Sequence, residues 1–321
     1  MFSRTRTLLR IAGVDVRVDT SWLVIVVLVT LSFWDRFGSN GRNAGAAFVM
    51  AVSGAALFFA SVLAHEVAHA LEAKHRGVAV GGITLYFFGG ATEMTSEARR
   101  PQDEFALTAV GPWTSLVLGC GFGLVAWGAD RAGVSAVGEV AALLASLNVL
   151  LGLFNLLPGA PLDGGRILDS IVWRVTGDHR RARRVATSAG RALGAMILAV
   201  GVFWALTVAG GFVWGVWLAF IGWFLMQAAA AEEAQGRLRD LLDGRTAGSL
   251  LEQVPREGVP VDGNVPTVPA DAPANLVLRG LRSGPVVVVT EDGEGVGEVT
   301  PKVLARLLER SYPQRRRAPW R

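Results

Sequence analysis

Six runs of mostly apolar residues, separated by segments of very different length, dominate the first three quarters of the chain. A helix that crosses a bilayer needs about 20 mostly apolar residues. The first run is short for this purpose, unless residues 14–20 lead into it as an interfacial strand or helix turn. The pattern predicts an α-helical polytopic membrane protein with about six transmembrane helices. The predicted helices cover residues 22–34, 44–73, 105–127, 137–157, 192–209 and 212–231.

The composition supports a membrane protein and excludes several other classes. Of the 321 residues, 51% are hydrophobic and 18% are charged, whereas ordinary globular proteins carry about 25% charged residues. This balance excludes a disordered chain, a collagen-like repeat and a protein that coats nucleic acid, so we expect no direct nucleic-acid partner. The single cysteine excludes a disulfide framework or a thiolate metal site within one chain.

The basic residues are unevenly distributed between the two sides of the predicted membrane domain. They precede the first run and recur after the second, fourth and sixth, whereas the opposite loops carry only Arg36, Arg42 and Arg131. Because basic residues concentrate on the cytoplasmic side, we predict a multi-pass protein of the cell membrane with both termini in the cytoplasm. No signal peptide is predicted, because no small-residue cleavage site follows the first run.

The composition changes after residue 235, which predicts two domains. We place a transmembrane domain at residues 1–235 and a cytoplasmic domain with a basic tail at residues 236–321. Residues 245–275 are rich in Pro, Gly and Val, as is typical of a linker with turns. The arginines at 315–317 and 321 form either a solvated tail or a segment attracted to anionic lipid.

The second apolar run contains the candidate chemistry, in the motif His65-Glu66-Val67-Ala68-His69. At helical spacing the two histidines share one face, where both imidazoles can bind one metal ion, and Glu66 lies beside that face. The alternative is an accidental cluster in the interior of a helix bundle. Ionisable groups are costly to bury in an apolar helix, so their presence favours a function. The pattern is that of a zinc site with Glu66 as a general base.

Catalytic zinc generally takes three protein ligands, and the third must come from another segment. His75 and His179 both lie among basic residues and are expected to be solvated. Asp163 is the better candidate, because Pro158 and Pro161 break the fourth helix just before it. Its alternative role is that of a residue in a helix-terminating turn. We also expect the glycines that follow Asp163 to allow close approach of the backbone.

Together the two segments resemble the site-2 protease family of intramembrane zinc metalloproteases (peptidase family M50). HEVAH is similar to the family's HExxH motif, and NLLPGAPLDGGR to its second motif. The segments VDTSW at 18–22 and GPWTS at 111–115 resemble two further family segments, so the likeness covers about residues 10–230. It implies one Zn²⁺ per chain, bound by His65, His69 and Asp163.

The resemblance also assigns two catalytic roles. Glu66 is the implied general base, and Asn155 matches an asparagine that steadies the tetrahedral intermediate. The alternative role for Asn155 is a helix-capping or interhelical hydrogen bond. Residues 81–91 are expected to form a re-entrant β-hairpin, whose edge binds an extended substrate strand in the family. The alternative is an ordinary interfacial hairpin.

The C-terminal domain is predicted to be a small α/β unit that resembles a single CBS motif. The predicted elements are strands over residues 284–290 and 295–299, a turn at 291–293 and a helix over 301–310. Related proteases carry paired CBS motifs that bind adenine nucleotides. With one copy, a degenerate structural module or one that forms a homodimer is at least as good an interpretation as nucleotide binding.

The resemblance implies a zinc-dependent endopeptidase that cleaves a membrane protein in or near its transmembrane segment, as in regulated intramembrane proteolysis. The implied substrate is a single-pass protein such as an anti-sigma factor. Two alternatives are a catalytically silent zinc-binding scaffold and a metal transporter with a midplane site. A site that only holds metal has no need of Glu66, and no inverted repeat of the transporter kind is visible. We therefore favour proteolysis.

Overall fold

A computed structural model describes residues 5–39, 41–87, 89–94, 96, 98–253, 265–284, 286–291 and 294–305. The chain divides into two compact units, Met1–Ala230 and Ala231–Arg321. The division falls close to residue 235, but the assignment of a transmembrane protease domain and a cytoplasmic CBS-like domain stays a prediction.

The first unit consists of long helices with one small sheet inserted among them. Its strands are β1 (Thr5–Ile11), β2 (Val14–Asp19), β3 (Val80–Tyr86) and β4 (Gly89–Met94). Its helices are α1 (Thr20–Gly38), α2 (Ala44–His75), α3 (Pro101–Arg131), α4 (Ser135–Asn155), α5 (Asp163–Thr176), α6 (His179–Thr207) and α7 (Phe212–Leu242), the last of which continues into the second unit. All but α5 are long and apolar enough to cross a membrane, which confirms the six predicted spans.

Two of the long helices extend well beyond the predicted apolar runs. α6 begins at His179 rather than at residue 192, and the side chain of Asp178 caps it by accepting from the Arg181 amide at 3.0 Å. Residues 179–191 are helical but strongly basic on one face. A search for continuous apolar runs therefore does not include them in the helix. α7 likewise continues past residue 231 to Leu242.

The outward faces of the helices carry large apolar side chains. Leu206, Trp214 and Leu124 are exposed to 78%, 73% and 70%. Apolar surface of this extent marks contact with a membrane or with another protein. The long apolar helices and this surface together give a multi-pass membrane protein.

The sheet of the first unit has the strand order β1-β2-β3-β4. β1 pairs with β2 and β3 with β4 in antiparallel fashion, while β2 and β3 are parallel. The hairpin predicted over residues 81–91 is therefore present, and the segment before α1 is a strand. Val16 and Ile83 of the sheet pack on Ala70 of α2, which places the sheet beside the HEVAH motif.

The second unit contains a three-stranded sheet of order β5-β6-β7 and several helical segments. Its elements are a 3₁₀ helix (Gly248–Gln253), β5 (Thr267–Pro269), α8 (Asn275–Ser283), β6 (Val287–Glu291) and β7 (Glu294–Val299). The predicted strand pair is present, although the first strand starts at Val287 rather than at residue 284.

Two predictions for the second unit need correction or stay open. The expectation that residues 245–275 are only linker is wrong, because Leu250 and Val268 from this range lie in the hydrophobic core. Of the predicted helix over 301–310, residues 301–305 are helical. Its remainder and the basic tail lie outside the described residues. The likeness to a CBS motif, the homodimer and nucleotide binding stay predictions.

Candidate metal centre

Two buried histidines of α2 face the interior of the first unit one helical turn apart. His65 and His69 are each 5% exposed, and their ring centroids lie 4.8 Å apart. The helix brings them together because residues i and i+4 share one face. Their Nε2 atoms are 3.2 Å apart, so both nitrogens are directed at the same small volume.

The third group is the carboxylate of Asp163, which is the first residue of α5. Its Oδ2 lies 3.2 Å from Nε2 of His65 and 3.3 Å from Nε2 of His69. Each of the three residues offers one ligand atom, and these atoms lie within 4.8 Å of one another. The structure thus brings together the three side chains that the sequence singled out. Asp163 differs from expectation in one respect, since it lies in the first turn of a helix and not in the break before it.

Both imidazoles are oriented by partners on α3. The Nδ1–H of His69 donates to the carbonyl oxygen of Leu107 at 2.7 Å, and Nδ1 of His65 lies 2.9 Å from Oγ of Ser115. A carbonyl only accepts, so Nε2 of neutral His69 has its lone pair free for a metal. Metal-binding histidines generally use their second nitrogen in this way. From the sequence, Ser115 is visible only as part of the GPWTS segment, and its contact with His65 becomes apparent only in the fold.

A glycine of α3 leaves room beside the two Nε2 atoms. A methyl group added at Gly111 would lie 2.7 Å from Nε2 of His65 and still closer to Nε2 of His69. Two imidazole nitrogens and a carboxylate oxygen around an open space are a donor set that suits Zn²⁺. The residues present therefore fit zinc as the resident ion.

Glu66 lies outside the donor set and against strand β4. Its Oε2 accepts a hydrogen bond from Oγ1 of Thr92 at 2.8 Å. A methyl group at Gly90 would fall 2.9 Å from the Glu66 carboxylate carbon, so the strand backbone packs directly on this side chain. The carboxylate is thereby held beside the donor set without belonging to it.

Comparison with known proteins places this geometry in a family. Residues 53–131 and 122–201 match the profile of Peptidase family M50. Rip3 of Mycobacterium tuberculosis, whose name assigns it provisionally to the zinc metalloproteases, is 45% identical over 250 residues, covering 76% of this chain and 63% of Rip3. The protein sll0528 of Synechocystis, whose name assigns it to the same class in the same way, is 35% identical over 313 residues. The match covers 94% of this chain and 78% of that protein. The chain belongs to peptidase family M50, the site-2 protease family.

A partial likeness to one solved structure was also found. The site-2 protease from Methanocaldococcus jannaschii aligns with a TM-score of 0.48 and 22% identity, over 72% of this chain and 95% of that chain. The chain spans 63% of the length of Rip3. Membership of the M50 family implies Zn²⁺ as the cofactor, in agreement with the donor set.

Ion pairs link the three helices that carry the candidate metal site of this M50 chain. Arg166, one turn after Asp163, donates from Nε to Oε1 of Glu104 on α3 at 2.9 Å, and the Glu104 side chain is only 9% exposed. Just beyond α2, Arg76 donates to Asp103 of α3 at 2.7 Å. The Asp103 carboxylate, together with that of Glu72, raises the pKa of the Arg76 guanidinium.

Asn155 is not brought into the ligand group. It is the last residue of α4 and is half-buried, and among the described residues no hydrogen bond is assigned to its side chain. The M50 role that the resemblance implies for Asn155 stays a prediction, as does the alternative of a capping or interhelical hydrogen bond.

The two remaining histidines are outside the ligand group, but one expectation about them is wrong. His75 is exposed and is the last residue of α2. His179 is not simply solvated, because its ring stacks on Trp173 with centroids 4.2 Å apart. Its Nε2 also lies 3.5 Å from Oδ2 of Asp169. Sequence reasoning missed these contacts because it placed His179 in a loop.

Proposed function

We propose that this chain is an intramembrane zinc metalloendopeptidase that hydrolyses a peptide bond of a membrane protein. The observation that carries the proposal is the convergence of His65, His69 and Asp163, with Glu66 beside them and outside the donor set. A carboxylate next to a metal site that does not bind the metal is the arrangement a general base requires. Membership of the M50 family and the names of the relatives support it.

The chain's residues divide the chemistry between them. His65, His69 and Asp163 would hold Zn²⁺, which supplies a Lewis acid that polarises the scissile carbonyl and acidifies a water molecule. Glu66 accepts a proton from the attacking water and then delivers it to the leaving amine. Thr92 donates its hydrogen bond to Oε2 of the Glu66 carboxylate. We assign the proton transfer to the other carboxylate oxygen, Oε1.

Strand β4 is suited to hold an extended substrate next to Glu66. Among the described strands, β4 pairs only with β3, so its other edge is open to another strand. A peptide bond within a helix is shielded by the helix's own hydrogen bonds, and pairing with a sheet edge keeps an unwound segment extended. The contacts of Gly90 and Thr92 with Glu66 put this strand at the reacting group.

The wider setting of the reaction follows from the resemblance and from the charge pattern. The proposed substrate is a single-pass membrane protein, cut in or near its transmembrane segment during regulated proteolysis. An anti-sigma factor or a similar regulator is the proposed class of partner. We also propose that both termini lie in the cytoplasm, because the arginines concentrate on that side.

The test compares the membrane proteomes of cells that express the wild type, Glu66→Gln and Glu139→Gln. The proposed substrate is first trimmed by another protease on the far side of the membrane, which is the upstream cut. Glu66→Gln removes the base but keeps the ligands, so these trimmed single-pass proteins should accumulate only in that variant while zinc content stays at the wild-type level. Glu139 is the matched control, because it pairs with Arg42 and lies on neither ligand-bearing helix.

Each departure from that result contradicts a specific part of the proposal. Processing by Glu66→Gln at the wild-type rate would refute the role of general base. Bound zinc in both variants without any accumulated substrate, in cells where the upstream cut has been induced, would favour the silent scaffold. Zinc flux into vesicles containing the purified chain would favour a transporter.

A further inference from the structure

The segment that carries Asp163 rests on the backbone of α6. Residues 156–162 connect α4 to α5 without regular structure, and the amide of Ala160 in this connection donates to the carbonyl oxygen of Ala186 in α6 at 3.2 Å. Ala186 is 3% exposed and Ala160 is 2% exposed. The hydrogen bond is therefore buried, and it joins the connection to a helix that contributes no metal ligand.

At the same place, three backbone segments approach one another with no room for a side chain. A methyl group at Gly190 of α6 would lie 2.9 Å from the Ala160 nitrogen and closer to its carbonyl oxygen. One at Gly159 would lie 2.5 Å from the Gly190 Cα, and one at Gly165 would lie 2.7 Å from the Ala160 Cα. Contact thus runs from Gly190 through Ala160 to Gly165, which is two residues from Asp163.

The other end of α5 is also anchored to α6. His179, the first residue of α6, stacks on Trp173 of α5, and its Nε2 lies 3.5 Å from Oδ2 of Asp169. Because these contacts hold this end of α5 to α6, we expect a shift of Ala160 to displace mainly the opposite end, which carries Asp163.

We propose that Gly190 of α6 is a positioning residue for the metal site, acting through Ala160 on the Asp163 carboxylate. The proposal rests on the proposed function, in which Asp163 is a zinc ligand. A methyl group at Gly190 would push the connection outward by a fraction of an ångström or more, because carbon atoms pack at about 3.5–4.0 Å. Loss of an interaction that orients a metal ligand typically lowers metal affinity about 10–100-fold. We expect Gly190→Ala to weaken zinc binding by that factor.

The test measures the zinc affinity of the full chain in nanodiscs by chelator competition, together with the Tm with and without zinc. The matched control is Gly201→Ala, on the same helix, where the methyl group would lie 2.7 Å from the carbonyl oxygen of Gly215 in α7. Both variants should lower the Tm of the metal-free protein. Only Gly190→Ala should lower the zinc affinity and reduce the shift in Tm that zinc produces. Equal zinc affinity in the two variants would overturn the proposal.

A double-mutant cycle with Asp163→Ala separates this proposal from the one on which it rests. If Gly190 acts through Asp163, then Gly190→Ala should weaken zinc binding in the wild-type background and have no further effect in Asp163→Ala. Unchanged affinity in Asp163→Ala alone would refute the ligand assignment. Loss in Asp163→Ala with none in Gly190→Ala would refute only the positioning role.

A second variant covers the case in which Gly190→Ala does not fold. Gly159→Ala introduces the same overlap from the side of the connection, which contains no helix to disrupt. It should also reduce zinc affinity about 10–100-fold. Wild-type affinity in folded Gly159→Ala would contradict the proposal as directly as the first variant.

Discussion

Gly111 provides the sharpest test of the metal centre, because a side chain at this position would overlap the two histidine nitrogens that face the proposed metal. In Gly111→Ala the new methyl carbon would lie 2.7 Å from Nε2 of His65 and closer to Nε2 of His69. Zinc–nitrogen bonds are about 2.0–2.1 Å long, so the methyl group would compete for the space next to both donor atoms. The rings cannot easily retreat, since Ser115 and the Leu107 carbonyl hold their Nδ1 atoms.

The size of the effect follows from these distances. Carbon atoms pack at about 3.5–4.0 Å, so relief of the overlap needs a movement of about 1 Å or more by a ligand or by α3. Loss of a single orienting partner costs about 10–100-fold in metal affinity, and Gly111→Ala disturbs both histidines at once. We expect a loss of at least about 100-fold, equivalent to about 3 kcal/mol.

Gly121→Ala is the matched control, on the same helix with nothing within 4 Å of the added methyl group. Alanine is favoured over glycine in a helix by about 1 kcal/mol, so this variant should bind zinc normally and unfold at the same or a higher temperature. The assay is zinc stoichiometry after purification, followed by chelator competition in nanodiscs. Wild-type zinc affinity in Gly111→Ala would refute the assignment of the space beside the histidines to the metal.

Three further predictions concern groups around the ligands. Gly90→Ala should displace Glu66 and reduce cleavage of a reporter substrate about 10–100-fold with zinc content unchanged; a parallel loss of zinc would contradict this. Ser115→Ala should weaken zinc binding about 10–100-fold in chelator competition, and full affinity would show that its hydrogen bond orients nothing. Arg166→Met should lower the free energy of unfolding by about 3 kcal/mol, because it leaves buried Glu104 unpaired. Adding Glu104→Leu should restore most of that stability in thermal unfolding, and no recovery would refute the pairing.

The sequence predicts most of the membrane architecture because the bilayer imposes a simple requirement. Long apolar runs are needed to cross it, and those runs are visible without any tertiary information. The same criterion places the start of α6 too late, because residues 179–191 are helical yet basic on one face. It also misses α5, whose first residue is the candidate ligand Asp163.

The candidate site was predictable where spacing along one helix determines geometry. His65 and His69 are four residues apart, and helical periodicity alone puts them on one face. Asp163 lies 98 residues from His65, and only the motif around it indicated that it joins them. Ser115, the Leu107 carbonyl and Gly190 carry no such signal, because their importance arises from which backbone lies next to which ligand.

Several positions around the site are significant for the side chain they lack. Gly111 leaves space beside the histidine nitrogens, Gly90 lets β4 lie against Glu66, and Gly190 lets α6 touch the connection that carries Asp163. Each belongs to a different element, so the donor set, the base and the third ligand are each bounded by a backbone surface rather than by flexible side chains. Backbone that is already ordered by the fold loses little further conformational entropy when it holds a ligand or the base in place. Substitution by alanine at these positions should therefore impair zinc binding or cleavage in the protein that still folds.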